Sequence, residues 1–117
     1  MFNKVIENFI EVRLMKKAEG FLESLDENTK EKVSFNIRKT MQGLKGEWFE
    51  KMKGTDELFE FRTLYNKQYI RLFAFWDRRN NKKILIICTH GLIKKTDKTP
   101  TTDIAKAERL KKEYFSS

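Results

Sequence analysis

The chain has one cysteine, one proline and one histidine in 117 residues, and each scarcity closes off some chemistry. Cys88 alone gives neither a disulfide framework nor a paired-thiol metal motif. His90 alone rules out a histidine pair, and one Cys with one His do not make a zinc site of the usual kind. Residues two apart on a strand share a face, so Cys88 and His90 suggest a nucleophile–base pair. Cys88, however, continues the core-like run Ile84-Leu85-Ile86-Ile87, which argues against it. Neither a GxGxxG nor a Walker loop is present. No apolar run approaches the ~20 residues of a membrane span. Asn3, Lys4, Glu7 and Asn8 interrupt any apolar signal segment in Met1–Ile10. One cysteine fits a reducing cytoplasm without excluding a secreted protein; the expectation is a cytoplasmic chain with no metal, small-molecule cofactor or membrane partner.

Acidic residues are also scarce, but only in the second half. Met1–Phe61 carries 11 Lys/Arg against 12 Asp/Glu, net −1; Arg62–Ser117 carries 14 against 5, net +9. A one-sided basic surface is the footprint of a polyanion binder. The bland reading of the same charge is a solvated face that keeps a small protein soluble.

What is abundant is aromatic: ten Phe, two Trp and three Tyr supply a core for one domain over 1–117. Phe9–Leu14 alternates with period two and predicts an opening strand, which Met1–Asn8 either extends or leaves to fray. Lys16–Leu25 places Ala18, Phe21, Leu22 and Leu25 at helical spacing. Asp26-Glu27-Asn28 then breaks and caps. A second helix is expected over Asn28–Gly43, with Val33, Ile37, Met41 and Leu44 as its stripe and Phe35 off the line. Glu47–Met52 reads as a short turn dropping Trp48 and Phe49 onto the core. Three strands follow, Leu58–Tyr65, Tyr69–Trp76 and Lys83–His90, as an antiparallel meander turning at Asn66-Lys67 and Asp77–Asn81. Thr102 or Asp103 would cap a final helix over Ile104–Phe115. The predicted class is α+β: an N-terminal strand, an α-hairpin, the meander and a C-terminal helix around a small mixed sheet.

Each of the first two meander strands carries an arginine. Arg71 shares a face with Tyr69, Phe73 and Phe75, and Arg62 with Leu58 and Glu60. A guanidinium is always charged and offers a planar fork of donors, so one fixed on a sheet can hold a phosphate. The structural reading is an ion pair, with Glu60 as partner. Lys94, Lys95 and Lys98 concentrate charge just after the last strand, for phosphate contact or, where crowding lowers a pKa, for proton transfer. His90 reads either as a half-buried imidazole bonded to backbone or as the acid or base of a ribonuclease.

Phe59-Glu60-Phe61-Arg62, Tyr69-Ile70-Arg71 and the long ending His90-Gly91-Leu92-Ile93-Lys94-Lys95-Thr96-Asp97-Lys98-Thr99-Pro100 resemble the toxins of type II toxin–antitoxin systems. The resemblance is to the RelE/ParE superfamily and its HigB-like, phage-derived branch. It covers at least Leu22–Tyr114, and it implies the same RelE-like mixed sheet. It implies a metal-independent, ribosome-dependent mRNA endonuclease (mRNA interferase) that inhibits translation, neutralised by a helix-turn-helix antitoxin. By that resemblance Arg71, Lys95 and His90 are the catalytic candidates, and Arg62, Lys94 and Lys98 bind RNA. The tyrosine some relatives use near the C-terminal segment has no counterpart between Lys94 and Asp103, and Tyr114 is too far along the helix to equate. The ParE-like alternative is a DNA gyrase inhibitor without nuclease chemistry. A third reading is an inactive, toxin-like RNA-binding protein.

Overall fold

The computed structural model describes residues 10–80, 84–96 and 98–117. Some expectations lie outside the described residues: Met1–Phe9 as a strand start or signal segment, Asn81 in a turn, Lys83 opening a strand, and Asp97 in the lysine loop. The elements are β1 (Ile10–Leu14), α1 (Lys16–Ser24), α2 (Glu27–Met41), β2 (Phe49–Lys51), β3 (Phe59–Tyr65), β4 (Gln68–Asp77), β5 (Ile84–Lys94) and α3 (Thr101–Ser116). The strands form one mixed sheet in the order β1-β5-β4-β3-β2. β1 runs parallel to β5, and the other neighbours are antiparallel.

Local chemistry accounts for the boundaries. Asp26 accepts the Thr29 amide at 2.8 Å and starts α2. Gly43, at φ +84°, ends it, in the left-handed region that glycine enters without a Cβ clash. That turn carries Leu44 off the apolar stripe, and it is exposed rather than core. Asn66 and Lys67 both have positive φ, the geometry of a two-residue hairpin that matches the strand twist. The expected turn at Glu47–Met52 is instead an edge strand, because Phe49–Lys51 pairs with Phe59–Phe61. β5 continues four residues past His90, since the first half of β4 needs a ladder partner: Tyr69 pairs with Lys94 and Arg71 with Leu92.

The sheet buries both faces. On one, α1 and α2 cover Phe61, Ile70, Leu72, Ala74, Ile86 and Cys88. On the other, Ile104, Ala107 and Tyr114 of α3 cover Leu58, Phe73, Phe75, Leu85 and Ile87. An irregular register between β4 and β5 sets which residue faces which way: Leu72 pairs with Gly91 but Ala74 with Cys88, leaving Thr89 and His90 opposite Phe73. The extra residue reverses the alternation. Cys88 therefore packs under the α-hairpin, while His90 stacks on Phe73 on the α3 face. The shared face expected for this pair does not exist.

Candidate nucleic-acid interface

Arg62 and Arg71 lie directly opposite each other on β3 and β4. Residues so paired project to the same face, here the α3 side, beyond the part that α3 covers. Arg71 is at the floor, its side chain only 3% exposed, and Arg62 is nearer the rim. Glu60, one position along the same face, lies between them. Its carboxylate is 3.7 Å from Arg71 Nε and 3.6 Å from Arg62 Nε, and Glu50 of β2 adds a 3.2 Å contact to Arg62. The anticipated ion pair to Glu60 is thus present. At these distances the carboxylate balances the charge of both guanidiniums. Arg71 Nη1 also donates to the Ile70 carbonyl at 3.3 Å.

These arginines line an open cleft of about 260 Å³ together with Glu47, Trp48, Leu64 and Tyr69. Trp48 arrives from the segment before β2 rather than dropping onto the core. Its indole N–H donates to Thr40 Oγ1 at 3.0 Å, and the Lys39 ammonium stands 3.7 Å from its ring. Gly46 makes room for that ring, since a Cβ there would collide with it. Leu64, 65% exposed, adds an apolar stretch to the rim.

The lysines separate. Lys94 closes β5, is buried, and donates to Thr99 Oγ1 at 2.9 Å, tethering the loop that follows. Lys95 and Lys98 are exposed in that loop. His90 is enclosed. Its ring stacks on Phe73 at 4.6 Å, Nδ1 meets Thr89 Oγ1 at 3.1 Å, and Nε2 meets the Asp103 carboxylate at 3.2 Å. Burial pushes its pKa below the ordinary value; Asp103 opposes this, and the charges of Lys106 and Lys17 add to it. This contact also takes Asp103 away from helix capping: α3 begins at Thr101, after Pro100, with no side-chain cap. The packed imidazole leaves only 3% of its side chain exposed.

Residues 20–112 match the family model described as Phage derived protein Gp49-like (DUF891). The chain belongs to that family. Its members are commonly phage-derived proteins of the toxin type, which suggests an antitoxin as partner. No curated protein and no solved structure matches.

In this Gp49-like chain the sequence pattern missed Glu47, Trp48 and the exposed half of Tyr69 as parts of the cleft. Alternation was the available signal: if Phe49 enters the core, Trp48 beside it points elsewhere. Cys88 is fully buried, and burial alone pushes its thiol pKa far up, so it is no nucleophile. Tyr114 donates to Asp77 Oδ2 at 2.7 Å, and Arg79 holds the same carboxylate at 2.9 Å. That cluster fixes the end of α3. Among the described residues no group of three or more His, Cys, Asp or Glu is placed to hold a metal, and no helix is long and apolar enough to cross a membrane.

Proposed function

We propose that this chain is the toxin of a type II toxin–antitoxin pair, in the HigB-like branch of the RelE/ParE superfamily, and that it cleaves mRNA on the ribosome without metal. One observation carries the reading: a buried arginine and its cross-strand partner line an open cleft, in the half of the chain that carries the basic excess. The ribose 2′-oxygen attacks the adjacent phosphorus and loses its proton to a base. The bond from phosphorus to the 5′-oxygen breaks, and that oxygen takes up a proton. Charge builds on the phosphorane between these events. Arg71, and Arg62 beside it, answer that charge with pre-positioned donors, whose removal typically costs about 10²–10³ in rate. Lys95 and Lys98 contact backbone phosphates, and Lys95 is the candidate for proton transfer. His90 serves as a positioning residue for the first turn of α3, and Lys94 anchors the loop. The ribosome supplies the orientation that so sparse a set lacks. The partner is a helix-turn-helix antitoxin, and the site of action is the cytoplasm.

The test is translation in a purified system with primer extension across the message. Codon-spaced cuts by the parent, lost in Arg71→Lys at parental melting temperature, support the reading. A chain that leaves messages whole but arrests DNA supercoiling by gyrase would replace it with the ParE-like alternative. A chain that binds RNA and does neither is an inactive relative.

A further inference from the structure

We infer that the arginine cleft is a single-nucleotide pocket that reads its base, with Glu47 selecting guanine. This deepens the proposed cleavage reaction and rests on it for biological meaning, but not for its test. Phosphate recognition needs only the two arginines. The cleft contains more: Trp48 and Tyr69 give it aromatic walls from two separate elements, and Leu64 gives it an apolar rim. A phosphate at Arg71 is therefore a short reach from a surface on which any base can stack. Such walls bind every base alike, so selection must come from a polar group at the edge.

Glu47 is that group. It lines the cleft, yet the arginines are held by other carboxylates, Glu50 and Glu60. Glu47 makes no hydrogen bond or ion pair to the described residues, so among them its two oxygens are uncommitted. A carboxylate only accepts hydrogen bonds. Guanine alone presents two adjacent donors, N1–H and the N2 amine, on its pairing edge. Adenine and cytosine present one amine there, and uracil a single imide N–H. The charge arrangement suits the whole nucleotide: an anionic end at the buried guanidinium, a donor edge at the exposed carboxylate, and rings between.

The experiment measures binding, not cleavage. The four ribonucleoside 3′-monophosphates are titrated into the full chain by calorimetry, while the Trp48 indole N–H signal is followed by NMR. Guanosine 3′-monophosphate should bind most tightly, by about 5- to 150-fold over uridine, the range of one bidentate base contact. Glu47→Gln should erase most of that preference and leave uridine binding in place. Tyr69→Ala and Trp48→Ala should each weaken all four nucleotides, by a similar factor for a lost stacking partner. Melting temperatures are taken alongside, and Tyr69→Ala carries the test if losing the Thr40 bond unfolds Trp48→Ala. Equal affinities for the four nucleotides, or an undisturbed Trp48 signal on binding, overturn the inference. Cuts on the ribosome with no mononucleotide binding would sink the pocket and leave the nuclease standing. Guanine-selective binding without cuts would do the reverse.

Discussion

Two ends of one sheet face treat their polar groups in opposite ways. Under α3, every polar side chain in the packing has a named, short partner: Asp77 with Arg79 and Tyr114, His90 with Thr89 and Asp103. Beyond α3, Glu60 stands between two guanidiniums, Leu64 is exposed, and among the described residues no helix closes the cleft. A buried charge with close partners has finished its work at folding. Guanidiniums that line an open cleft are suited to meeting an anion that is not part of the chain. The proposed division, stability at the α3 end and function at the arginine end, rests on this difference and can be broken from either side.

The largest effect is expected at the closed end. Phe75 is fully buried and packs on Tyr114 and Phe115 at 5.3 Å between ring centres. Phe75→Ala should cost about 3–5 kcal/mol in denaturant unfolding, the usual range for emptying such a site. RNA binding per folded molecule should not change. A loss under 1 kcal/mol would mean that α3 lies on the sheet too loosely to define a closed end.

At the open end, Arg71→Lys should lower cleavage by about 10²–10³, because a point charge does not replace a fork that meets the phosphorane. Melting should move little, since an ammonium still faces Glu60. Arg71→Ala is a poorer test than Arg71→Lys. It takes one guanidinium from beside a mostly buried Glu60, so stability falls together with activity. A lysine variant that cuts at the parental rate would remove Arg71 from the chemistry.

Much of this contrast was legible in the sequence, and the misses have causes. Alternation placed Arg62 with Leu58 and Glu60, and Arg71 with Tyr69, Phe73 and Phe75, because period two survives wherever the ladder is regular. It failed at Cys88 and His90, where an extra residue reverses the pleat. No local signal announces that bulge. The end of β5 was missed because strand length is set by the partner: β4 needed Leu92 and Lys94 more than the residue types of 91–94 advertised a strand. Asp103 looked like a cap, and nothing nearby in sequence showed that a histidine 13 residues away would take its carboxylate. The cleft itself joins β2's approach to β3 and β4, a tertiary fact that motifs along the chain do not contain.

A smaller effect sharpens the role of the loop. Lys95 and Lys98 are exposed, so replacing both with Ala should leave stability unchanged. For single-stranded RNA, each phosphate contact contributes about 0.7 to the slope of log affinity against log salt. The double variant should therefore flatten that slope by about 1.4. An unchanged slope would confine phosphate binding to the arginines.

The smallest effect returns to the closed end, through pH. His90 is held neutral in the fold, its pKa pushed below the ordinary 6.5 chiefly by burial, with Lys106 and Lys17 helping and Asp103 opposing. The sign follows from proton counting. Above pH 6.5 both states are neutral at this site, and its stability contribution is whole. Below that pH the unfolded chain binds a proton that the folded chain resists, so stability falls on acidification, by no more than about 1.4 kcal/mol per pH unit. The carboxylate of Asp77, held far below its usual range by Arg79 and Tyr114, adds its own loss only below pH 3.8. The interval between pH 7 and 5 therefore isolates His90. His90→Gln keeps a donor for Asp103 but cannot titrate, and its stability should be flatter across that interval than the parent's. Since Asp103 sits in the first turn of α3, just past the lysine loop, acidification of the parent should also speed amide exchange at Thr99 and Thr101–Ile104. Should the parent gain stability on acidification, Asp103 outweighs burial, and the buried imidazole is a charged clasp rather than a neutral one.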